Sequence, residues 1–189
     1  MEFPKPEIAV VTLNRPKQLN AMSWQMFEEQ VAVFNYINDC REVRVVILKA
    51  NGKAFSSGLD IMDANENVFG RVQEQSEDVG RRGILYHKIL QDLQDGASSP
   101  ENCRVPVIAA VHGYCIGAGI DISAACDIRL CTKDAKFTIK EVDIGLAADL
   151  GTLQRFPKVV GNNSWVRELA HTARFFDGQE ALEHGFVSH

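Results

Sequence analysis

The sequence predicts an α/β fold. Three observations carry that expectation. Short runs of β-branched and apolar residues recur along the chain, a helical periodicity separates the first two, and turn signals close each run. The first run, Ile8–Leu13, stops at Asn14-Arg15-Pro16. Ser23 is placed to cap a helix reaching about Asp39, with Phe27, Val31 and Phe34 on one face. A second strand follows over 43–48 and ends at the Asn51-Gly52 turn. Strand, helix, strand in that order argues for a parallel crossover unit.

Residues 63–83 are polar, charged and broken by Gly70 and Gly80, which predicts a mobile loop. A helix is expected near 84–93, ended by 96–100. The apolar run 105–111 reads as a strand and leads into Gly113-Tyr114-Cys115-Ile116-Gly117-Ala118-Gly119. A short helix over 120–126 and strands at Ile128–Cys131 and 136–140 come next. Beyond the segment holding Glu141 and Asp149 the chain turns helical. Asp177 with Glu180 forms a capping-box-like start, and Gly185 is a C′ stop. A further strand is expected to begin at Phe186. Residues 1–189 read as one core domain.

Bulk properties exclude some partners. The chain has 189 residues, 46% hydrophobic and 24% charged, enough apolar material for a buried core. Net charge is −5 with no basic block, so nothing points to nucleic acid or a membrane surface. No apolar run nears the roughly 20 residues that span a bilayer. Met1-Glu2-Phe3-Pro4-Lys5 lacks signal-peptide and transit-peptide character. Five cysteines without a CxxC pair read as small hydrophobes, with no zinc site.

Three segments carry chemistry. Ala54-Phe55-Ser56-Ser57-Gly58-Leu59-Asp60 follows a strand, and its small residues let backbone approach a ligand, although a plain loop fits equally. Gly117 and Gly119 follow a buried strand and open a helix, where N–H groups are unpaired. The third glycine of a dinucleotide fingerprint is missing, and no P-loop lysine follows. Together the two segments can offer one N–H each to a single oxygen, an oxyanion hole. In the third segment the carboxylates of Glu141, Asp143 and Asp149 sit among apolar residues, where burial and a neighbouring carboxylate raise carboxyl pKa values. Two such groups can move a proton between carbons. Asp143 reads as a solvated charge, and Asp149 is equally placed to cap the next helix. His112 reads as structural, and no nucleophile elbow surrounds Ser56 or Ser57.

These segments, with Asn14-Arg15-Pro16, Leu19-Asn20-Ala21 and Ala125-Cys126-Asp127-Ile128-Arg129, resemble the crotonase (enoyl-CoA hydratase/isomerase) superfamily over most of the chain. The resemblance implies a spiral of ββα units that binds an acyl-CoA thioester. It implies an oxyanion hole from the backbone N–H groups of Leu59 and Ala118, and a substrate-binding surface of Ser56, Ser57, Gly58, Leu59, Asp60 and Ala118. Hydratases of the family carry glutamates at the positions of Asp121 and Glu141. The stretch from Lys140 to Arg155 is instead similar to Δ3,5-Δ2,4-dienoyl-CoA isomerases, which have an acidic residue at the position of Asp149. The catalytic set implied is Asp121, Glu141 and Asp149, with no metal and no cofactor beyond the CoA of the substrate. A hydratase, a monoene isomerase or a truncated inactive acyl-CoA-binding homologue are the alternatives. The resemblance further implies a homo-oligomer, trimer or hexamer, and a mitochondrial or peroxisomal setting. The family's C-terminal helices are expected to be absent from this chain.

Overall fold

Tight corners that send one strand into one sheet and the next strand into another set the architecture. A computed structural model describes residues 1–70, 72 and 77–189. β1 (Glu2–Lys5) pairs antiparallel with β2 (Ile8–Leu13). β3 (Val45–Ala50) pairs parallel with β2, and β4 (Ala54–Ser56) starts a second sheet. β5 (Val107–Val111) returns to the first sheet beside β3, and β6 (Tyr114–Ile116) joins the second beside β4. β7 (Ile128–Cys131) and β8 (Lys136–Thr138) repeat the step. β9 (Phe176–Asp177) closes the second sheet antiparallel to β8. Each turn therefore gives one strand to each sheet before a helical stretch, which is the expected ββα spiral.

Sequence dictates the corners. Gly113 joins β5 to β6 at φ +57°, and a Cβ there would stand 2.0 Å from the Lys53 carbonyl oxygen. Only glycine lets that corner lie against the one between β3 and β4. His112 Nε2 bonds the Gly52 carbonyl at 2.9 Å across the same corners, so this histidine is structural.

The helices fill the outside of the spiral. α1 (Trp24–Asp39) is capped by Ser23, whose hydroxyl accepts from Met26 N–H, and buries Phe27, Phe34 and Ile37. α2 (Ile61–Ala64) runs into a π-helical turn, Asn65–Gly70. α3 (Val79–Ser98) is much longer than the expected 84–93. The expected mobile loop is corrected at both ends, since 63–70 and 79–83 are helical; residues 71 and 73–76 of it lie outside the described residues. Asp78 caps α3 by accepting from Arg81 N–H, a start signal hidden in a polar stretch. Gly96 does not end the helix. A Cβ there would stand 2.7 Å from Phe27 Cβ, so glycine lets α3 pack closely on α1.

α4 (Ala118–Ala124) begins two residues before the expected start, directly at Gly117, and is almost wholly buried. α5 (Thr152–Val160), α6 (Asn163–Thr172) and α7 (Gly178–Glu183) complete the chain. Asp177 caps α7 through Glu180 N–H, and Gly185 follows at φ +75°, as the sequence predicts. Phe137, Phe156, Trp165, Phe176 and Phe186 interlock beneath them, with Phe156 and Phe186 centroids 4.6 Å apart. The strand expected from Phe186 does not form. Two hydrogen bonds, Ser188 N–H to Arg129 O and Cys131 N–H to His189 O, lay this segment beside β7, too few for a ladder.

Candidate active site

The two glycine loops meet. Gly58, at φ +93°, lies so close to the β6–α4 turn that a Cβ would stand 3.0 Å from Ile116 O and 3.7 Å from Ala118 N. The N–H groups of Leu59 and Ala118 have no acceptor among the described residues, while those of Gly58, Asp60 and Gly117 do. Gly58 N–H donates to Ser56 Oγ (3.2 Å), Asp60 N–H to Met22 O (2.9 Å) and Gly117 N–H to Thr138 O (3.0 Å). Ala118 opens α4, so its N–H has no intrahelical partner by construction. Two adjacent loops thus leave two donors unspent.

A buried network fixes the first loop. Asn20 is fully buried at φ 54°, a left-handed conformation that asparagine tolerates. Its amide donates to Asn51 O and Ala54 O, both at 2.8 Å, and its Oδ1 accepts from Arg15 N–H. Ser56 Oγ donates to Asn20 O at 2.9 Å while accepting from Gly58. Arg15 bonds Asp60 Oδ2 (2.9 Å) and Ala21 O (2.6 Å). Burial opposes charge on Asp60, yet bonds from Arg15 and the Asp63 and Met62 backbone hold its carboxyl below the usual range.

A cavity of about 160 Å³ opens where the loops meet. Ser57, Gly58, Leu59, Ala118, Glu141 and Asp149 line it, joined by apolar side chains such as Ile116, Ile144 and Leu146. Ser56, Asp60 and Asp121, which the sequence reading also put at the site, are not in the lining. Ser56 and Asp60 are spent holding the loop.

Asp121 sits behind the cavity, 1% exposed, and its Oδ1 accepts from Thr152 N–H at 2.6 Å. It therefore serves the N-terminus of α5, the duty the sequence left open for Asp149. Asp149 does not cap that helix, whose N-cap Gly151 has no side-chain bond. Burial first, then the Glu141 charge, pushes the Asp121 carboxyl up to about 7 against the opposing Thr152 bonds.

Glu141 starts the 3₁₀ turn Glu141–Ile144 after β8. Its Oε1 would be 3.1 Å from a Cβ on Gly117, which places this carboxyl against the glycine that precedes Ala118. Its Oε2 is buried without a hydrogen-bond partner among the described residues. Burial raises its pKa, helped by Asp149 and opposed by its own and the Lys140 backbone N–H groups. Burial also raises Asp149, although this residue stands at the surface. Asp143 pairs with Lys140 in solvent, as expected. Sequence reasoning assigned no role to Gln94 or Arg155, which hold the backbone around Asp149 from outside; Gln94 lies in no recognised motif, and Arg155 only closes the family-like stretch that begins at Lys140.

Residues 4–189 match the enoyl-CoA hydratase/isomerase family. This chain belongs to that family. It is 48% identical over 178 residues to the mitochondrial Delta(3,5)-Delta(2,4)-dienoyl-CoA isomerase of Homo sapiens, covering 94% of this chain and 53% of that protein. The peroxisomal Delta(3,5)-Delta(2,4)-dienoyl-CoA isomerase of Arabidopsis thaliana is 44% identical, covering 93% of this chain and 62% of the relative. An enoyl-CoA hydratase/isomerase from Marinobacter aquaeolei superposes with a TM-score of 0.85 at 27% identity, over 99% of this chain and 67% of that one. The enoyl-CoA hydratase/isomerase fold thus extends over the whole described chain, which spans about half the length of the human relative.

Proposed function

We propose that this chain forms the catalytic core of a dienoyl-CoA isomerase that converts a 3,5-dienoyl-CoA to the 2,4-dienoyl-CoA. The observation that carries the reading is that Asp149 lines the same cavity as Glu141 and the two unpaired N–H groups. The thioester oxygen accepts from Leu59 and Ala118 N–H. Glu141, against the glycine that precedes Ala118, then stands nearest the carbon next to the thioester and removes a proton from C2. The dienolate spreads its charge along the conjugated chain, and Asp149 delivers a proton to C6. One proton leaves and one arrives, so the reaction balances with no metal, redox cofactor or co-substrate, and CoA enters only with the substrate.

A raised carboxyl pKa suits both roles, since one group must be ionised while the other holds its proton. Asp121 is engaged with Thr152 and outside the lining, which weighs against hydration, where carboxyls at the 121 and 141 positions act as a pair. The named relatives support a place in mitochondrial or peroxisomal oxidation of unsaturated fatty acids. Assembly into trimers or hexamers belongs to the same proposal, with exposed Val142, Ile144 and Leu153 as surface to cover; light scattering checks it.

The test follows the ultraviolet absorbance of 2,4-dienoyl-CoA formed from a 3,5-dienoyl-CoA. Glu141→Gln and Asp149→Asn should each lose about 10²–10⁴ in rate while circular dichroism stays unchanged. A well-folded parent with no activity would favour an inactive acyl-CoA-binding homologue, and hydration of a 2-enoyl-CoA would favour the hydratase.

A further inference from the structure

The turn that carries Asp149 is held from outside the cavity, by side chains of α3 and α5. Gln94 Nε2 donates to the Asp149 carbonyl oxygen at 2.7 Å. Arg155 splits its guanidinium three ways. Nε donates to Glu101 Oε2 (2.7 Å), Nη2 to Ser98 Oγ (2.7 Å), and Nη1 reaches Leu150 O (3.4 Å). Gly151 adopts φ +142°, and a Cβ there would stand 1.7 Å from Arg155 Nη1. The guanidinium therefore fills the space that any side chain at 151 would need.

An exposed ion pair alone is worth little, and Glu101 is 56% exposed. The Arg155 side chain is only 15% exposed, and its planar fork bonds two anchors and the turn at once, a geometry lysine cannot copy. Glu141 is held separately. Its backbone carbonyl accepts from Leu146 N–H at 3.0 Å, and it has no bond to Arg155 or Gln94.

We propose that Arg155 is a positioning residue: anchored on Glu101 and Ser98, it clamps the Leu150–Gly151 turn and, with Gln94, fixes how Asp149 presents its carboxyl to the cavity. The proposal rests on the isomerase reading of Asp149. Loss of the clamp impairs protonation at C6 and spares proton removal at C2.

The experiment reads both steps in one reaction. Purified protein receives a 3,5-dienoyl-CoA in deuterated buffer. Ultraviolet absorbance follows the 2,4-diene, and mass spectrometry follows deuterium entering C2 of unreacted substrate. In Arg155→Lys and Gln94→Ala, diene formation should fall about 10- to 10²-fold with C2 exchange held within about twofold, since small misplacements of a reacting group cost that much. Glu101→Gln, at an exposed site that folding tolerates, should shift the same ratio less far. Exchange and isomerisation falling together, or neither moving, overturns the positioning role alone. A parent that exchanges C2 yet forms no diene overturns the role given to Asp149. A parent inert in both overturns the isomerase reading itself.

Discussion

The two walls of the cavity are built differently. The wall with the unpaired N–H groups is backbone, locked by buried side chains: Asn20 and Ser56 are fully buried, and their bonds run into three separate strands and loops. The wall with the carboxyls is a surface segment. Val142, Ile144 and Leu146 are exposed, and the turn at Asp149 is held by side chains reaching in from α3 and α5. A site that stabilises a developing oxyanion gains from fixed dipoles, which cost no reorganisation during reaction. Groups that trade protons with an acyl chain need only be within reach when it is bound. On the proposed mechanism, rigidity is concentrated where charge develops.

The comparison breaks most visibly at Gly58. Gly58→Ala forces a methyl to 3.0 Å from Ile116 O at a φ that side chains avoid, so the loop must shift and carry the Leu59 N–H with it. Isomerisation should fall by about 10²–10³, the cost of losing one oxyanion donor, as read from initial rates. An active Gly58→Ala enzyme would show that the backbone wall is not rigid. Ser56→Ala is next. It leaves Gly58 N–H without an acceptor and removes the donor to Asn20 O in a fully buried place. Thermal unfolding should register a loss of about 1–3 kcal/mol, the cost of a buried unsatisfied group.

Legibility in the sequence follows the same division. The backbone wall was readable because glycines and small residues at fixed offsets from apolar strands announce it: Gly58, Gly113 and Gly117 all have positive φ. The parallel crossovers were readable from β-branched runs. What stayed hidden was long-range pairing. Asp121 serves Thr152 from 31 positions away, and Gln94 serves Asp149 across 55, with no local signal for either. The start of α3 was misread because Gly80 and Gly83 interrupt an exposed first turn, and its start is marked only by the Asp78 cap on Arg81 N–H.

Asp121 sharpens the comparison through pH. Its carboxyl is held at about 7 in the fold against an ordinary value of 3.8. Between about 4 and about 7 the folded chain holds a proton that the unfolded chain has lost, so stability falls as pH rises through that window. Asp121→Asn keeps an oxygen to accept from Thr152 N–H and removes the charge. The drop in Tm from pH 5 to pH 8 should be smaller in the variant, at about 2–4 °C per kcal/mol for a chain of this size. Glu141 and Asp149 are shifted the same way, so part of the slope should remain. Equal slopes in parent and variant would mean that Asp121 is not held protonated behind the backbone wall.

Asp143 is the smallest case. Its bond with Lys140 lies on the carboxyl wall with both side chains about half exposed. Such pairs contribute about 0–1 kcal/mol because solvent screens them and two long side chains lose freedom. Lys140 lines the cavity, yet its ammonium also sits 5.6 Å above the Phe175 ring, a contact that survives loss of the carboxylate. Asp143→Ala should therefore change unfolding free energy by less than about 1 kcal/mol and leave the isomerisation rate within about twofold. A tenfold loss of rate with unchanged stability would mean that the pair orients Lys140 towards substrate. The carboxyl wall would then be organised electrostatically rather than merely held in place by α3 and α5.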